Sequence, residues 1–118
     1  MTHLWEYAHV TRLVIKQVPT NVTLYAEIEA QTTWSISYII HGPEGTTLTE
    51  PTVYQAVEPN YAQTFVVFMN SMGQKGWQYM KDGGANTFQS HDNEAKVKAF
   101  STEEYSWFTR PVQSPAPA

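Results

Sequence analysis

Asn60-Tyr61-Ala62-Gln63-Thr64-Phe65-Val66-Val67-Phe68-Met69-Asn70-Ser71-Met72-Gly73 decides the class of this fold. Tyr61, Phe65, Phe68, Met69 and Met72 recur at helical spacing and form one continuous apolar stripe. Asn60 stands where a side-chain oxygen caps the first free N–H groups, and Gln63 holds the reciprocal place of a capping box. Gly73 predicts the stop, in the left-handed conformation that glycine adopts without steric cost. Gln63, Thr64, Asn70 and Ser71 make the wet side, while Val66 and Val67 widen the stripe and predict a helix more buried than a surface one. No other segment has this period.

Outward from it the pattern changes to two. Leu4 to Ile15 is aromatic and β-branched, with Trp5, Tyr7, Leu13 and Ile15 on one parity and Leu4, Ala8, Val10 and Val14 on the other. Both parities are apolar, which predicts a long strand covered on both sides over part of its length and ended near Pro19. Thr23 to Ile40 reads as β-rich, and Thr32 to Ile40 alternates as a half-buried strand. His41-Gly42-Pro43-Glu44-Gly45 is a turn, followed by a strand over Thr46–Val57 interrupted at Pro51. Past the helix, Trp77–Lys81 and Asn86–Ser90 are short strands, with Asp82-Gly83-Gly84 as a hairpin turn and His91-Asp92-Asn93 as another. Ala95–Ala99 and Tyr105–Arg110 complete the set. The expected fold is α+β: a single antiparallel-rich sheet with one main helix, about Asn60–Met72, packed on one face. One domain over residues 1–110 and a Pro-rich extension over 111–118 is the expected organisation.

The chain has 118 residues, of which 42% are hydrophobic, 14% aromatic and only 15% charged. That aromatic share excludes a disordered chain. Seven Lys and Arg against eleven Asp and Glu give a net charge of −4, which argues against a binder of nucleic-acid phosphates or of an acidic membrane surface. There is no cysteine, so thiol nucleophiles and disulfide frameworks are out. No apolar run reaches the roughly 20 residues that span a bilayer. The opening residues do not read as a signal peptide, and the expected compartment is cytoplasmic, or virion-associated if phage-encoded.

Residues able to do chemistry are scattered. No G-x-S-x-G, P-loop or H-E-x-x-H is present. His3 and His9 share a strand parity but lie about 20 Å apart on an extended strand, too far for one metal ion. His91-Asp92-Asn93-Glu94 is the densest group of oxygen and nitrogen ligands, without the repeated acidic spacing of a calcium loop. Glu103 and Glu104 are adjacent, so on a strand they face opposite ways and cannot act as a carboxylate pair. No catalytic residue, metal site or cofactor is expected.

Three pieces stand in order: Trp5-Glu6-Tyr7, then Met72-Gly73-Gln74-Lys75-Gly76-Trp77-Gln78-Tyr79-Met80, then Trp107-Phe108-Thr109-Arg110-Pro111. Over about half the chain this resembles the small prokaryotic and phage domain of unknown function family numbered 4177, with its aromatic-E-Y strand, helix, G-x-x-G-W-E turn and closing K-R-P strand. Gln78 stands where the family usually has Glu, and Gln17–Glu58 is a long insertion. The resemblance implies a compact α+β fold and no particular activity. Read physically, Gly73, Gly76 and Trp77 form a folding motif: two glycines turn the chain and the indole fills the gap between helix and sheet.

Strand aromatics are the remaining signal. Trp5, Tyr7, Trp34, Tyr38 and Trp107 either fill a small core and pair across strands or, where they stand on the sheet face that one helix leaves uncovered, make an interaction surface or stack a ligand ring. The expected function is therefore non-catalytic: an interaction or assembly protein, self-assembling or an accessory subunit of a larger bacterial or phage complex, with a protein partner or its own copies. The alternative is an aromatic pocket that binds or sequesters a small, nucleotide-like molecule. The Pro-rich extension lacks side chains that could offset an ordering cost of about 1–2 kcal/mol per residue. Deleting everything after Pro111 is expected to leave the melting temperature of the monomer nearly unchanged while weakening assembly, as thermal melts and light scattering would show.

Overall fold

The computed structural model describes residues 4–112. Its elements run β1 (Trp5–Pro19), α1 (Tyr25–Gln31), β2 (Thr33–Gly42), β3 (Gly45–Leu48), β4 (Thr52–Gln55), α2 (Tyr61–Gln74), β5 (Gln78–Asp92) and β6 (Val97–Pro111). The strands form one six-stranded sheet in the order β3-β2-β1-β6-β5, with β4 also on β2. Every pairing is antiparallel. The fold is α+β, built on a single antiparallel sheet.

Strand parity sorts the residues. Ala8, Val10 and Val14 of β1, Ile36 and Tyr38 of β2 and Phe108 of β6 all point to one face, where they form the core with Phe68 and Met72 of α2 and with Trp77. The Phe68 ring lies flat on Tyr38 at 3.8 Å and edge-on to Phe108 at 6.0 Å. α1 lies over the far end of the same face, across Lys16, Val18 and Trp34. Among the described residues no element covers the opposite face. The expectation that β1 would be covered on both sides is thus corrected: one parity is core, and the other is apolar and open.

Several local expectations change with this architecture. The region read as β-rich contains α1, so the helix near Asn60 is not alone. Ala26, Glu27, Glu29, Ala30 and Gln31 are good helix formers, but the segment has one aliphatic anchor, Ile28, and buries no residue. Without a stripe its period is invisible. Val66 and Val67 lie 45% and 61% exposed rather than buried, because α2 meets the sheet along the Tyr61, Phe65, Phe68, Met69 and Met72 stripe and the two valines fall outside it. Gly83-Gly84 does not turn a hairpin. β5 runs straight through it with irregularities at Tyr79/Lys81 and Asp82/Ala85, and β6 is likewise one strand where two were expected. Gly83 sits against Tyr105, where an added Cβ would come within 3.0 Å, and Gly84 takes a φ of +93°. This is a bulge in an edge strand. The hairpin turns later, at Asn93–Lys96, where the Asp92 carboxylate accepts from the N–H groups of Glu94 and Ala95 at 3.0 Å. The edge break at Pro51 is as expected: β3 and β4 are two halves of one edge strand. Pro111 belongs to β6, and the Val112 N–H donates to the Leu4 carbonyl at 2.9 Å. The rest of the Pro-rich extension, residues 113–118, and His3 lie outside the described residues.

The end of α2 is the sharpest correction. Asn60 Oδ1 accepts from the Gln63 N–H at 3.0 Å, as expected of the cap. Gly73, however, is inside the helix, and the stop is Gly76, with φ +86°. The Trp77 N–H reaches the Met72 carbonyl at 3.1 Å and the Gly76 N–H reaches Gly73 at 2.9 Å. That pair of bonds is a Schellman motif, with Trp77 and Met72 supplying its hydrophobic contact. The two glycines should therefore respond oppositely. Gly76→Ala is expected to cost roughly 1–2 kcal/mol for the left-handed backbone. Gly73→Ala, where an added Cβ meets nothing within 4 Å, should gain about 0.5–1 kcal/mol. Denaturant midpoints of the two variants check this.

Candidate functional site

The open face is built by the odd-numbered residues of β1, β2 and β6. Cross-strand partners set its rows: Tyr7 beside Thr109, His9 beside Trp107 and His41, Thr11 beside Tyr105 and Ile39, Leu13 beside Glu103 and Ser37. A knot of rings forms at one end. The His9 ring is 4.7 Å from Trp107 in an edge arrangement, 5.6 Å from Tyr105 and 6.2 Å from His41 in stacked ones. His41 Nδ1 lies 2.9 Å from Thr46 Oγ1. Tyr105 donates its hydroxyl to Glu103 and accepts from Asn86 Nδ2 at 3.1 Å. The hydrogen bond to the Glu103 carboxylate raises the Tyr105 pKa, because ionising the phenol would remove the donated proton and set two negative groups together.

The five aromatics singled out from the sequence divide between the faces. Trp5, Tyr7 and Trp107 are on the open face, 50%, 52% and 36% exposed. Trp34 and Tyr38 are on the helix side and buried, so they are core and not surface. Trp34 has Lys16 Nζ 5.8 Å from its ring centroid, and its Nε1 has no hydrogen-bond partner among the described residues. Glu103 and Glu104 point to opposite faces as expected: Glu103 meets Tyr105, and Glu104 meets Arg12. Asp92 is occupied by its turn, and the described residues contain no group of three or more His, Asp or Glu placed to hold a metal ion.

Two basic residues organise the covered face: Arg12, which sequence reading passed over, and Arg110, which it placed only within the closing strand motif. Arg12 is buried mid-strand, paired with Glu104, donating Nη1 to the Tyr61 carbonyl at 2.9 Å and lying 5.1 Å from the Phe65 ring centroid. Its signal was a lone cation between Val10 and Val14 on the core parity. Arg110 is paired with Glu6, donates to Glu44 at 3.2 Å and to the Lys75 carbonyl at 3.0 Å, and stacks 4.1 Å over the Trp77 ring. Trp5-Glu6-Tyr7, the Gly76-Trp77 turn and the closing Arg110 thereby meet in one cluster. Gly73, Gly76 and Trp77 lie within or beside it as structural residues, with Trp77 buried.

A cleft of about 380 Å³ opens between α2 and the β2–β4 edge, lined by Ile36, Tyr38, Tyr54, Val67 and Phe68 with Glu50 at its polar side. Its lining includes no Lys or Arg. A phosphate-bearing ligand would find no cationic partner there. No helix of the described residues is long and apolar enough to cross a membrane. Compared with protein-family models, curated proteins and solved structures, the chain matches none.

Tyr61, at the start of α2, donates its hydroxyl to Glu58 at 3.0 Å, and burial together with that hydrogen bond pushes its pKa up to about 12. A phenol whose pKa is higher in the folded chain than the usual 10.0 favours folding fully below that value and stops doing so as pH rises through about 12. Stability should fall across that alkaline window, and Tyr61→Phe should make the fall shallower, leaving the part due to Tyr25, Tyr38 and Tyr105, which are also raised. Urea unfolding at a series of pH values measures this.

Proposed function

We propose that this chain is a non-catalytic association protein whose working surface is the uncovered face of its sheet. One observation carries the reading: Trp5, Tyr7 and Trp107 lie exposed on the same face, Trp107 edge-on to the His9 ring within that face, and no helix or other element of the described residues covers them. Exposed Tyr and Trp gathered on a rigid sheet concentrate binding energy, since each offers a large area at little cost in side-chain freedom. Sheets with one bare face are ordinary, but such faces are usually polar, giving clean alternation of apolar and polar residues. Here the outward parity of β1 keeps Trp5, Tyr7, Leu13 and Ile15, and it carries no Asp, Glu, Lys or Arg.

A second reading, small-molecule binding, rests on the cleft beneath α2. Its lining suits a neutral or cationic apolar molecule and not the nucleotide-like ligand expected from the sequence. A surface that spans several strands supports association more strongly than one open cleft supports a ligand.

Replacing Trp5, Tyr7 and Trp107 together by Ser tests the reading. From native extract, the wild-type chain should elute in an assembly heavier than its own 13.4 kDa, and the triple variant at the monomer mass with an unchanged circular dichroism spectrum. A wild-type chain that leaves native extract as a free monomer would sink the reading.

A further inference from the structure

Resting on that reading, we infer that the occupant of the open face is the same face of a second copy, stacked to give a two-fold β-sandwich. Area is the first argument. β1 and β6 pair over fifteen residues each and, with β2 and β5 beside them, make a face four strands wide. At about 3.3 Å per residue and 4.8 Å between strands, this face offers on the order of 900 Å². A stable specific interface takes roughly 800 Å² from each partner.

Charge is the second. A two-fold interface sets each patch against itself, so any block of one sign would repel its own image. The open-face residues of β1 and β2 are free of Asp, Glu, Lys and Arg, and those of β5 and β6 add only Lys81, Asp92 and Glu103. Asp92 is turned into the hairpin turn, and Glu103 accepts the Tyr105 hydroxyl. The patch is thus near neutral, with Trp5, Tyr7, Leu13 and Ile15 of β1 and Tyr105 and Trp107 of β6 along its middle and the hydroxyls of Ser35 and Ser37 of β2 to one side, the arrangement of interface cores and rims. Shape is the third. Two sheets stack aligned when their twists match, and two copies of one sheet have the same twist.

The sheet's edges do not offer a competing route. One edge strand is broken at Pro51 between β3 and β4, and the other, β5, carries two irregularities and the Gly83-Gly84 bulge. Both features blunt strand-to-strand addition. Self-association is left to the face.

Light scattering on the purified chain over a range of concentrations tests the inference. The expected mass is twice 13.4 kDa, falling twofold to the monomer in Trp107→Lys and equally in the double variant Ser35→Arg/Ser37→Arg. The second variant removes no core contact, so it decides the matter if the first fails to fold. A dimer that survives both variants pairs through an edge and overturns the inference. So does a purified chain that stays monomeric at millimolar concentration. If that monomer still travels in a heavier complex in native extract, and Trp107→Lys releases it, only self-pairing has failed and association stands. If it is monomeric in extract as well, both fail.

Discussion

β1 is hydrogen-bonded along both of its edges, to β6 over Trp5–Pro19 and to β2 over His9–Gln17, and every other strand takes its place from it. Because side chains alternate strictly along a strand, this register decides in one step which residues are core and which are surface. In the observed register Ala8, Val10 and Val14 meet Phe108, Ile36 and the underside of α2. A slip of one residue would put Tyr7, His9 and Leu13 under the helix, where no space of that shape exists, and would expose the small, tightly fitted Ala8. The first and last strands of the chain are neighbours at the centre of the sheet, so no part of the architecture closes until both are made.

Two arginines reinforce this register from opposite ends. Arg12 ties β1 to Glu104 of β6 and to the first turn of α2. Arg110 ties β6 to Glu6 of β1 and to the last turn of the same helix through the Lys75 carbonyl and the Trp77 ring. A cation at a helix C-terminus also meets the negative end of the helix dipole. α2 has no charged residue of its own, and its placement is fixed by its apolar stripe and by these two contacts at its ends. Removing either guanidinium would leave a carboxylate and a backbone carbonyl without their donor, a larger loss than the net strength of the pairs themselves.

The same sidedness produces the functional reading. Both helices are spent on one face of a sheet whose longest strands, β1, β5 and β6, run about 50 Å, while α2 spans about 21 Å. What the helices do not cover is the outward parity of β1, β2 and β6, and that parity is aromatic and nearly uncharged. The chemistry of the chain is correspondingly dispersed: Glu104, Glu6, Glu103 and Asp92 are engaged separately, with Arg12, Arg110, Tyr105 and a hairpin turn, and are not gathered at one site.

By itself the sequence determined the elements with strong periods: the β1 strand, the Trp34–Ile40 alternation, the broken edge at Pro51, the Asn60 cap and the stripe from Tyr61 to Met72. These are local facts, carried by spacing within one segment. It also determined that Glu103 and Glu104 must part company, since adjacent strand residues face opposite sides. The sequence did not determine α1, whose single Ile28 gives no stripe, or the stop at Gly76 in place of Gly73, since both glycines suit a helix end and only the bond from Trp77 to Met72 selects one. The division of the aromatics was equally out of reach. Trp34, Tyr38, Trp5, Tyr7 and Trp107 all lie on strands with the same local grammar. Which of them is core depends on the side of the sheet to which α2 returns, and that is a contact between residues some 30 to 60 positions apart. Tertiary structure alone decided it, because parity tells which residues share a face but not which face is covered.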